Sequence, residues 1–67
     1  MALQPYQQRV VDEKADHDAR LSRLTAFIGS DAFASVAPDE QARLERQRVI
    51  MLELSTVLGE RIAAFGV

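Results

Sequence analysis

His17 is the only histidine in this 67-residue chain, and Asp16 and Asp18 flank it. A proton carrier between two carboxylates is raw material for acid–base chemistry or a pH-sensitive switch. On a helix, however, side chains one position apart point about 100° away from each other, so neither aspartate is aimed at the imidazole. A nucleophile would have to come from Ser22, Ser55 or another hydroxyl, and no glycine-rich elbow presents one. No glycine-rich loop can cradle phosphate, and there is no cysteine. One histidine and scattered carboxylates fall short of the roughly four ligands of a structural zinc site. The chain is therefore expected to be no enzyme and to carry neither cofactor nor metal. Without the constellation an active site needs, His17 reads first as a half-buried seam residue satisfied by a neighbour.

A second set of residues is polar where the surrounding stripes are apolar. Glu13, Lys14 and His17 interrupt the core face of a first helix, and Gln47 and Arg61 interrupt that of a second. In an antiparallel hairpin centred near Phe33, Glu13 falls opposite Val57 to Arg61, and a Glu13–Arg61 bridge would satisfy both and fix the register. Alternatively, the open end of the hairpin lines a polar pocket between subunits. It would collect Tyr6, Gln7, Arg9, Lys14 and Arg61. Tyr6 can stack on a base or ribose; Arg9 or Lys14 can neutralise phosphate, one as a planar fork and the other as a point charge. The N-terminus of the first helix adds N–H groups for an anion. Tyr6, Arg9, Lys14 and Arg61 are the candidate ligand-binding residues. Taken singly, each also reads as an ordinary solvated side chain. Arg43, Arg46 and Arg48 alternate with Glu40, Glu45 and Glu53. That pattern suits a solvated face better than a nucleic-acid stripe, because the acids would repel phosphate.

The elements that must position these residues are marked by glycine and proline. Pro5 suits the first turn of a helix, after the short lead from Met1 to Gln4. No glycine or proline follows until Gly29, at a C-terminal cap position. Ser30 and Asp31 can cap a short turn over Ala32 to Ser35. Pro38 opens a second helix, with Asp39 and Glu40 against its positive end, running to about Phe65. Gly59 within it costs roughly 1 kcal/mol relative to alanine. The expectation is an all-α fold: one domain over residues 1–67, with helix one at about 5–28, a connector at 29–37 and helix two at about 38–65. So short a connector makes the helices antiparallel, with Phe33 and Val36 as a plug over the closed end.

Periodicity supports this. Val10, His17, Leu21, Leu24 and Ile28 form a stripe on helix one, with Tyr6 and Phe27 at its edges. On helix two, Leu44, Met51, Leu54, Leu58, Ile62 and Phe65 form a face that Ile50 and Val57 widen, while Val49 and Leu52 lie off it. The resulting arc of roughly 140° exceeds what one partner helix needs. A chain this short buries only about 60% of its unfolded surface. Without disulfides or a metal, oligomerisation is the remaining aid. The hairpin is therefore expected to join a homo-oligomeric helical bundle, a dimer or larger.

Eight basic and ten acidic residues give a formal charge of -2, with no basic arm to grip duplex nucleic acid. No apolar run approaches the roughly 18 residues of a membrane span, and the start lacks a signal peptide's pattern. A cytoplasmic location without membrane association is expected.

The run Tyr6-Gln7-Gln8-Arg9-Val10-Val11-Asp12-Glu13-Lys14, followed by Leu21, Leu24, Phe27-Ile28, Phe33, Gln47, Met51, Leu58 and Arg61-Ile62, resembles a family of short phage proteins. That family is named after a protein of a crAss-like phage. The resemblance covers about Tyr6 to Phe65, and the opening Tyr-Gln-x-Arg-Val-x-x-Glu pattern is its most specific part. It implies a phage protein acting in the host-cell cytoplasm, and the family label assigns no activity. In size and shape the chain is also similar to phage anti-CBASS and anti-Thoeris sponges, which assemble helical hairpins and sequester nucleotide immune signals. That likeness is architectural, without a residue motif. It implies a nucleotide ligand, a cyclic oligonucleotide or an ADP-ribose derivative. Two other readings stay open: a module that docks on and inhibits a host protein, and a structural or accessory phage oligomer.

Overall fold

In a computed structural model that describes residues 3–66, two long helices lie side by side, joined by one tight connector. Met1 and Ala2 of the lead, and Val67, lie outside the described residues. Helix α1 spans Pro5–Ile28 and helix α2 spans Pro38–Ala63. Each opens on a proline in its first turn, where a missing N–H is no loss. At the start of α1, the Gln4 N–H donates to the Gln7 Oε1 at 2.8 Å. At its end, the Gly29 N–H donates to the Thr25 carbonyl. Helix α2 stops at Ala63, short of the expected Phe65, and the chain turns there, with Gly66 at φ 76°.

The connector contains a 3-10 turn over Asp31–Ser35. The Ser30 hydroxyl does not cap this turn; it donates back to the Phe27 carbonyl at 2.6 Å. Phe33 packs edge-on to Phe27, their centroids 6.0 Å apart. Gln41, in the first turns of α2, donates to the carbonyls of both Phe33 and Val36 at 2.9 Å. The plug is thus tied to α2 by hydrogen bonds as well as by burial.

The seam between the helices repeats in steps of three and four. On α1 and two residues before it, Leu3, Gln7, Val10, Lys14, His17, Leu21, Leu24 and Ile28 are buried or half-buried. On α2 and its end, Gln41, Leu44, Arg48, Met51, Ser55, Leu58, Ile62 and Phe65 are likewise withdrawn from water. A strict 3.5-residue repeat keeps one stripe of each helix facing the other, as in a coiled coil. The product is a rod of 49 × 15 × 14 Å. Its fully covered centre is small, comprising Val10, Leu21 and Leu58, with Leu58 at 0% exposure.

This register corrects the face expected of helix two. Leu54, Ile50 and Val57 do not face α1; they are 40%, 56% and 48% exposed. Arg48 and Ser55 occupy seam positions instead. The seam has a pitch of 3.5 residues and takes whatever side chain falls on it, polar or not. Tyr6 and Phe27 lie at the seam's edge, both partly exposed, as the stripe on helix one implied.

Candidate functional site

Two polar assemblies stand out, one midway along the rod and one at its open end. Midway, Lys14 and Asp18 are one helical turn apart on α1 and Ser55 faces them from α2. The Lys14 ammonium donates to Asp18 Oδ2 at 2.6 Å, and the Ser55 hydroxyl donates to Asp18 Oδ1 at 2.6 Å. A longer contact of 3.4 Å links Lys14 Nζ to Ser55 Oγ. One turn towards the closed end, the His17 Nε2–H donates to the Met51 carbonyl at 2.8 Å. A carbonyl only accepts, so this bond fixes the proton on Nε2.

The Lys14 ammonium, and after it the Ser55 hydroxyl, hold the Asp18 carboxyl below its ordinary range; Lys14's and His17's charges add in the same direction, and partial burial opposes them. The Asp18 carboxylate is thus neutralised locally. The cluster makes a polar layer across an otherwise apolar seam. Such layers set register, because sliding one helix would strand Lys14 and His17 among leucines. Gly59 fits the same arrangement, since a Cβ there would stand 3.4 Å from Lys14 Cε.

At the open end Tyr6 packs edge-on against Phe65, with centroids 6.3 Å apart and planes at 78°. Its outer surface remains in water. Arg9, about one turn after Tyr6 on α1, and Arg61, about one turn before Phe65, are exposed. Among the described residues the ion pairs are Lys14–Asp18, Arg20–Asp16 and Arg43–Glu40. The expected Glu13–Arg61 bridge does not form. Both side chains are exposed, so neither is desolvated enough to require the other. Of the four candidate ligand residues, the fold therefore brings Tyr6, Arg9 and Arg61 to one end and ties Lys14 into the mid-rod cluster.

Two surface depressions lie elsewhere. One is an acidic groove on α1 lined by Asp12, Glu13, Ala15, Asp16 and Ala19. The other runs along the seam past Asp18, Ser22, Thr25, Arg48, Leu52 and Ser55. Neither includes a candidate ligand residue other than by neighbourhood. Asp18 and Ser55 were missed as partners of Lys14, although both sit at sequence positions one turn from seam residues. The signal was available: extending the three-and-four repeat from Leu58 back through α2 lands on Ser55 and Arg48. Among the described residues, no group of three histidine, cysteine, aspartate or glutamate side chains is arranged to hold a metal ion. No described helix is long and apolar enough to cross a membrane.

Fold and site together define a small two-helix coiled-coil hairpin with a polar register layer and exposed cationic side chains at its open end. A family model described as Sequestin matches residues 4–64, nearly the whole chain, and the chain belongs to the Sequestin family. No curated protein and no solved structure matches it.

Proposed function

We propose that this chain is a non-catalytic sequestering protein that holds a nucleotide signal, a cyclic oligonucleotide or an ADP-ribose derivative, at the open end of the hairpin. In this reading it is a phage counter-defence protein acting in the host-cell cytoplasm as a homo-oligomer. The family name speaks for sequestration. The observation that carries the ligand class is the open end, which an outward-facing Tyr6 ring shares with two exposed arginines, Arg9 and Arg61, that form no ion pair among the described residues. A ring to stack on and two planar forks for phosphate are the complement of a nucleotide. Lys14 contributes only if it leaves Asp18 and Ser55, so the arginines carry the charge.

Binding to the folded state alone raises stability by RT ln(1 + [L]/Kd), about 2.7 kcal/mol at a hundredfold excess over Kd. Cyclic di- and trinucleotides and ADP-ribose derivatives should therefore raise Tm by several degrees. Arg61→Ala should abolish that rise and leave the free protein's Tm nearly unchanged, since Arg61 has no buried partner to strand. A full panel that leaves Tm where it was would sink the nucleotide reading.

A second reading, inhibition of a host protein, is favoured by exposed Val49 and Leu52 on the flank of α2 away from Ile50 and Val57. It predicts that Leu52→Glu ablates capture of one host protein and leaves nucleotide shifts untouched.

A further inference from the structure

Helix α2 carries a second apolar stripe that α1 leaves exposed. Gln47, Ile50, Leu54, Val57 and Arg61 recur at steps of three and four. Each stands one position before a seam residue: Arg48, Met51, Ser55, Leu58 and Ile62. The stripe is therefore a second coiled-coil seam, turned about 100° from the first. Its three apolar members are 40–56% exposed. A compact chain of 7.5 kDa exposes about 4,250 Å² by the usual mass scaling, whereas this rod exposes 4901 Å². The surplus, roughly 650 Å², approaches the roughly 800 Å² that one partner contributes to a standard interface.

We infer that the occupant of this stripe is the same stripe of a second copy, running antiparallel and centred near Glu53. The flank of the stripe carries Arg46, Glu53 and Glu60, seven residues apart. Antiparallel pairing about Glu53 sets Arg46 of each copy beside Glu60 of the other, twice by symmetry. Neither residue has an ion-pair partner among the described residues of its own chain. The two Glu53 side chains meet near the axis, a single exposed repulsion against two attractions. Ile50, Leu54 and Val57 of one copy cover those of the other.

This deepens the assembly reading above by naming its face, and the test needs no nucleotide. Mass is measured by sedimentation or light scattering at micromolar concentration, with helical content followed by circular dichroism. The wild-type chain should run as a multiple of 7.5 kDa, and Leu54→Glu should run as a single folded chain. Arg46→Glu and Glu60→Arg should each raise the dissociation constant about tenfold, from loss of two pairs and gain of two repulsions. The double variant should recover wild-type association. Within one chain these positions lie 14 residues apart, about 21 Å along the helix, so recovery can arise only between copies. An assembly that Leu54→Glu leaves intact, or a double variant as weak as the singles, overturns this pairing while the assembly itself stands. A wild-type chain that stays at 7.5 kDa overturns both.

Discussion

The two faces of α2 are built on the same repeat and have opposite fates. The face that meets α1 holds Leu44, Met51, Leu58 and Ile62, yet it also accepts Arg48 and Ser55. The face one residue back holds Ile50, Leu54 and Val57, fewer apolar side chains than its neighbour, and is exposed. Hydrophobic content favours the stripe that closes the hairpin but does not account for the polar residues within it. Those answer to α1, whose Lys14 and Asp18 meet Ser55, and whose His17 meets a backbone carbonyl. Rotating α2 by one residue would turn Ile50, Leu54 and Val57 towards α1, but it would carry Leu44, Met51, Leu58 and Ile62 away and leave that polar layer without partners. Unpaired polar groups in a seam cost more than a methyl group gains.

The contrast is most sharply broken by truncating one leucine on each face. Leu58→Ala removes a fully buried side chain and should cost about 2–5 kcal/mol, enough to unfold most of a hairpin this small. Leu54→Ala should cost well under about 1 kcal/mol in the dissociated hairpin, its effect appearing in association. Denaturant melts of both variants, run below the association threshold, check this. Equal losses would mean that the two faces had been assigned wrongly.

A smaller effect tests the polar layer. Asp18 is held below the ordinary carboxylate range by Lys14 and Ser55. Between the folded and unfolded pKa values the unfolded chain binds more protons, so stability rises with pH there. The contribution is complete above about pH 4, the ordinary aspartate value, and is lost as pH falls through the lowered folded pKa. Melting curves from pH 6 down to pH 2 should show a step that Asp18→Asn reduces. An unaltered acid limb in the variant would place Asp18 outside the layer.

The smallest effect is expected at Gly59. Alanine there gains up to about 1 kcal/mol of helix propensity, and the nearest atom, Lys14 Cε at 3.4 Å, belongs to a flexible chain that can give way. Gly59→Ala should raise Tm slightly. A fall would show that Lys14 cannot yield without surrendering Asp18.

Much of this architecture was legible in the sequence. Pro5, Gly29 and Pro38 bracket the helices because ring and backbone chemistry act locally, without reference to the partner helix. The Phe33 plug was legible too, since an aromatic in so short a connector has only one interior to enter. The facing of α2 was not. A broad apolar arc admits two seams, and the residues of the opposite helix, polar as well as apolar, help to choose between them. Glu13 and Arg61 looked complementary by level along the rod, but exposed side chains gain little from pairing and pay entropy to do so. Tyr6, Arg9 and Arg61 share an end because antiparallel helices of similar length bring the start of one to the finish of the other. Lys14 was placed with them by charge alone, which is blind to the serine that faces it.

The closed end of the rod is stitched by Gln41 and the Phe27–Phe33 contact, whereas beyond Val10 and Leu58 the open end has an aromatic edge contact and, among the described residues, no side-chain hydrogen bond between the helices. Thermal fraying therefore begins at the open end, and amide exchange there should outpace exchange near the connector. A guest captured by Tyr6, Arg9 and Arg61 would grip the loosest part of the molecule and quiet it. Some of its affinity is spent on that ordering, and the saving passes to whatever binds next.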